Sequence, residues 1–226
     1  MNGQTGKETD GIDHLHAFTT NKKIPKVIEQ LALTALSHYP ELQSVHIRFV
    51  FTQRLKQSVM AARPVASTLL RGRDRRVYDI LINPVFKLTQ SIEPIHHLPD
   101  EVLIGWLGHE LGHILDYEQR TVWGIAKFGL LYGLSKRYIR KAERVADTFA
   151  VNRGMAPYIL STKEFILGNS DLSPRYKNKI ARLYLSPDDI VELVSEMEKK
   201  ATSAEKEEVL AEETEISQNS RTEEDV

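Results

Sequence analysis

Residues 109 to 113 read His-Glu-Leu-Gly-His. On a helix, two imidazoles four residues apart differ by about 40° in direction and one turn in height, so their nitrogens can meet one ion. Glu110 is turned about 100° from His109, beside such an ion rather than on it. That is the place for a general base acting on a metal-activated water, and the H-E-x-x-H spacing is a signature of zinc-dependent peptide hydrolysis. A zinc ion that does chemistry takes three protein ligands and keeps a fourth position open. The chain has no cysteine, so the third ligand is a His, Asp or Glu. The segment "KAERVADTFA" offers Glu143 and Asp147, again four apart. Glu143 can be the third ligand, and Asp147 can accept the remaining ring N–H of a ligand histidine. The bland alternatives are two surface histidines on one helix, and an acid pair answered by Lys136, Arg137, Arg140, Lys141 and Arg144 on its own helix.

These residues need two helices held close together. A long helix is predicted from Pro99, with Pro at its first position and Asp100 and Glu101 favouring the positive helix start. A second is predicted from Ser135 to Gly154, which would cap its C-terminus. Gly105, Gly108 and Gly112 lie in the first helix, each costing about 1 kcal/mol against Ala. They suggest a backbone packed close to a neighbour, and the glutamate helix is the obvious one. Upstream, residues 24 to 39 carry helical spacing ended by Pro40. "SVHIRFVFTQ", "SVMAARP" and "RRVYDILINP" read as three strands. Further helices fit 155 to 168, 174 to 185 and 187 to 200. The predicted fold class is α+β: helix, small three-stranded sheet, zinc-binding helix pair, C-terminal helices.

"HELGH" followed by "ExxxD" at 143 to 147 resembles the gluzincin clan of zinc peptidases. Within it, "LPDEVLIGWLGHELGHI" and "ERVADTFAVNRGM" are similar to the HtpX-like and CAAX-prenyl endopeptidase family over about residues 24 to 185. The resemblance implies a zincin-like fold and one Zn2+ per chain held by His109, His113 and Glu143. It also implies Glu110 as general base, Asp147 supporting a histidine, and a peptide or protein substrate. It makes the strand Val77, Tyr78, Asp79, Ile80 and Leu81 the sheet edge that substrate backbone joins. Two departures stand out. The family's membrane helices are missing, so the chain resembles a soluble, reduced member of it. Where relatives carry His-Pro and a later Arg, "LSPRYKNKIARL" has Ser173 and Lys179. The oxyanion stabiliser is therefore open among Tyr176, Arg175, Lys179, Tyr158 and His97. The competing readings are a catalytically weak or inactive zinc-stabilised module that binds peptide, and a regulatory protease associated with DNA or a membrane surface.

Composition narrows the setting. Hydrophobic residues make up 41% of the 226, enough for a core, and the net charge is −1. No apolar run approaches the roughly 20 residues that span a bilayer, and residues 1 to 16 do not resemble a signal peptide; a cytoplasmic protein is expected. The apolar stretch 122 to 134 could touch a membrane surface or pack as a connector. Residues 1–22 read as a flexible segment, 23–200 as the domain, and 201–226 as a disordered acidic tail with nine acidic residues against two basic. That tail could shield a basic stretch comprising Arg48, Arg54, Lys56, Arg63, Arg71, Arg73, Arg75 and Arg76. No aromatic residues interleave the loop 61 to 77, so nucleic acid is not the expected partner. His14, His16, His38, His46 and His96 are read as surface or core residues without a ligand role. Oligomeric state is not legible.

Overall fold

The computed structural model describes residues 15–55 and 58–203. The chain runs through β1 (Lys22–Lys23), α1 (Glu29–Ser37), β2 (His46–Phe51), β3 (Met60–Pro64), β4 (Val77–Ile82), β5 (Val85–Lys87) and β6 (Ile92–Pro94). Then come α2 (Asp100–Glu118), α3 (Val122–Leu134), α4 (Lys136–Ala150), α5 (Ala156–Gly168) and α6 (Pro174–Leu183). A final helix, α7, is described over 187–203. The class is α+β, as expected.

The main sheet has four strands in the order β1-β2-β4-β3, and β5 and β6 form a separate antiparallel pair. β1, β2 and β4 are mutually parallel, whereas β3 lies antiparallel on β4. The three strands read from the sequence are all present. The three additional ones are two or three residues long, too short to show a period. The edge assignment is corrected: Val77, Tyr78, Asp79, Ile80 and Leu81 lie in the interior strand, between β2 and β3. Their backbone groups are used by two neighbours, so no substrate strand can join there. The run Ile80-Leu81-Ile82, buried on both faces, marks an interior strand. β3 is the edge strand on this side of the sheet, opposite the two-residue β1, with Pro64 at its end, where proline is tolerated.

α2 is the axle of the molecule. Every residue from Val102 to Tyr117 is buried, and the helix packs against α1, β3, α4 and α5. Pro99 precedes it in extended conformation instead of opening its first turn. α4 starts after Ser135, whose hydroxyl accepts from the Tyr138 N–H. Gly154, at φ 76°, breaks the path between α4 and α5, a backbone angle that side chains strain to adopt.

Residues 15–22, expected to be loose, are tied down: Phe18 is in the core and Asn21 bonds the Ser44 carbonyl. Residues 201–203 continue α7, whereas the expectations for 1–14 and for an acidic tail over 204–226 lie outside the described residues. Part of the basic stretch is engaged within the fold. Arg48 and Arg63 converge on Asp79, and Arg76 is buried with a bond to the Arg120 carbonyl. The stretch 122 to 134 is a helix that buries Ile125 and Phe128 and leaves Trp123, Leu130 and Leu134 exposed. Among the described residues, no helix is long and apolar enough to cross a membrane.

Candidate metal centre

His109, His113 and Glu143 converge, with one ligand atom from each lying within 4.8 Å of the others, all buried. The convergence depends on close helix packing. A Cβ on Gly112 would sit 2.5 Å from the Ala146 carbonyl oxygen of α4. Gly105 and Gly108 do not face the glutamate helix: their added Cβ atoms would meet Thr162 and Tyr158 of α5, and Met155 just before it. Two of the three glycines thus serve α5 and its approach, and one serves α4.

The His109 Nδ1 lies 2.8 Å from Asp147 Oδ1. With that N–H donated, the His109 Nε2 lone pair faces Glu143 Oε2 at 3.1 Å, and His113 Nε2 faces the same oxygen at 3.5 Å. Electron-rich atoms this close repel unless a proton or a cation lies among them. In the metal-free chain a proton can do so: burial opposes the His109 cation, but Asp147 and Glu143 lift its pKa to about 10. Against burial, the two imidazoles hold the Glu143 carboxyl well below the usual range. A borderline divalent ion fits this nitrogen–oxygen set, and His109, His113 and Glu143 are the residues that could hold it.

Asp147 has no exposure. Besides His109 it accepts from Lys163 Nζ at 3.0 Å and from the Leu185 N–H at 3.0 Å. Against burial, Lys163 and His109 keep it ionised. The hydroxyl of Tyr132 donates to the other Glu143 oxygen. The Tyr184 ring centroid lies 5.2 Å from that of His109.

Glu110 is outside the ligand set but within the field of His109, His113 and Glu143. Its Oε2 accepts from the Ala62 N–H of β3 at 2.6 Å. In an antiparallel ladder both backbone groups of a residue point the same way. The Ala62 carbonyl likewise receives the Tyr117 hydroxyl, at 3.4 Å. Burial pushes the Glu110 carboxyl up, against the pull of the two imidazoles. Beside it is a cavity of about 30 Å³ lined in part by His109, Glu110, Tyr176 and Lys179, room for about one or two waters.

The five candidates for a stabilising group separate. Tyr176 and Lys179 line this cavity; Arg175 lines a larger cleft outside it. Tyr158 is not brought to the site: its ring packs edge-on against His38. Nor is His97, an exposed residue of the turn before α2. A rise of 1.5 Å per residue places that turn more than about 13 Å from His109 along the axis. Ser173, where the resemblance expects His, caps α6 by accepting from the Tyr176 N–H.

Sequence reasoning missed Lys163, Tyr132, Tyr184 and Ala62. Lys163 left a signal, as one lysine on the α5 face that buries Ile159, Thr162 and Ile166. The others reach the site from distant elements with no local pattern. No family model, no curated protein and no solved structure matches the chain.

Proposed function

We propose that the protein is a zinc-dependent endopeptidase with a zincin-like arrangement of sheet edge and helix pair, akin to the gluzincins. The observation that carries this reading is Glu110, a buried carboxylate beside a two-histidine, one-glutamate centre and bonded to the free edge of the sheet. A purely structural ion needs no such base.

When bound at His109, His113 and Glu143, zinc supplies Lewis acidity, acidifying a water and polarising the substrate carbonyl. The chain's own residues do the rest. The Ala62 N–H fixes Glu110 Oε2 and leaves Oε1 to take the proton of a water in the small cavity. Glu110 then returns that proton to the departing amine. β3 is the sheet edge beside the centre along which an extended substrate would align, with the outward groups of Ala62 themselves held by Glu110 and Tyr117. Tyr176 is the candidate donor to the developing oxyanion: burial, and then the Glu110 charge, push its pKa up, so its hydroxyl keeps its proton. Lys179 is the alternative at the same mouth.

The test is elemental analysis joined to proteolysis. Wild type is expected to hold one zinc per chain and degrade an unfolded protein such as casein. Glu110→Gln is expected to keep the metal and lose cleavage. If wild type cleaves nothing across a broad panel while retaining zinc, the peptide-binding reading replaces this one.

A further inference from the structure

A cleft of about 1130 Å³ opens outside the centre. It adjoins the small cavity, and Ser58, Val59, Tyr176 and Lys179 line both. Its charged lining is Lys87, Lys136, Arg175, Lys179 and Arg182, with no Asp or Glu among the lining residues. These cations come from β5, α4 and α6, so they surround the space instead of forming one point charge.

Some cations of the fold are answered within it: Arg48, Arg120, Arg144, Arg153 and Lys163 pair with carboxylates. Among the described residues, Lys87, Lys136, Arg175 and Arg182 have no such partner. Between them the lining mixes apolar side chains, Val59, Phe86, Ile139 and Leu183 among them, with polar ones such as Asn83, Ser173 and Asn178. Dispersed positive charge over a partly apolar surface suits a chain that alternates anions with aliphatic groups. The cleft also continues the end of β3, where an extended backbone would leave the sheet edge.

Resting on the peptidase reading, we propose that the substrate is an acidic polypeptide. Glu or Asp side chains flanking the scissile bond seat among Lys87, Lys136, Arg175, Lys179 and Arg182.

The experiment uses full-length protein and two fluorescein-labelled peptides of one aliphatic sequence, one bearing Glu and Asp, the other Gln and Asn. Anisotropy with the Glu110→Gln chain is expected to show about tenfold tighter binding of the acidic peptide. The ratio should fall towards one in Arg175→Glu/Arg182→Glu and shrink between about 50 and about 500 mM salt. Should charge reversal unfold the chain by circular dichroism, Arg175→Gln/Arg182→Gln replaces it, with a smaller loss expected. His113→Ala should keep the ratio, because charge in the cleft does not depend on the metal. Equal affinities, a ratio untouched by either double variant, or tighter binding of a single-stranded DNA than of the acidic peptide would overturn the proposal. The two readings fail separately. Discrimination without wild-type cleavage defeats the peptidase and leaves the cleft, whereas cleavage of both peptides at equal kcat/KM defeats the cleft and leaves the peptidase.

Discussion

The metal centre and the cleft outside it are adjoining regions built on opposite electrostatic plans. The inner region sets Glu110, Glu143 and Asp147 against His109, His113 and Lys163, all six buried. The outer region carries five cations and no acid, and four of the five are exposed. Burial makes each inner contact strong and intolerant of loss, because an unpaired buried charge has no water to turn to. Exposure makes each outer cation weak by itself and effective only in number. In the proposed peptidase, chemistry is assigned to the inner region and selection among substrates to the outer one.

The largest expected effect tests the inner region at its base. Glu110→Gln should lower peptide hydrolysis by roughly 10²–10⁴-fold with metal content unchanged, as single-turnover assays and elemental analysis would show. A loss of metal instead would make Glu110 part of the ligand set.

Asp147→Asn comes next, since it leaves Lys163 buried without its anion. A cost of about 3–5 kcal/mol is expected in denaturant unfolding. Metal affinity should fall about 10–100-fold as the His109 support weakens. Reversal of Lys163 to Met in the same chain should recover stability but not metal affinity.

Gly112→Ala tests the packing that holds the two helices together. The added methyl meets the Ala146 carbonyl at 2.5 Å, so a net destabilisation of about 1–3 kcal/mol is expected despite alanine's better helix propensity. Weaker metal binding should accompany it, because α4 carries Glu143. An unchanged melting temperature would mean that α4 yields freely.

The smallest effect belongs to the outer region. Lys87→Gln should change acidic-peptide affinity by no more than about fivefold and leave stability within about 0.5 kcal/mol. A larger change would mark Lys87 as a desolvated anchor and blur the contrast between the two regions.

Both i,i+4 pairs were legible in the sequence because the geometry of one helix fixes them. His109 with His113, and Glu143 with Asp147, need no knowledge of the rest of the chain. The three main strands, the cap at Ser135 and the stop at Gly154 were legible for the same reason: period and turn chemistry are local. Whether the two pairs meet was not local, and it was decided by the approach of α2 and α4 at Gly112. The sheet edge was misread for a related reason. The β-prone run within Val77 to Leu81, stopped by Pro84, says that a strand forms, but strand order depends on pairings between distant segments, and these put β3 outermost. Lys163, Tyr132 and the basic cleft belong to that second category. The sequence alone determined which side chains share a helical face, because backbone geometry repeats every few residues. Only the tertiary structure decided which faces meet, because that follows from burial and hydrogen bonding summed over the whole chain.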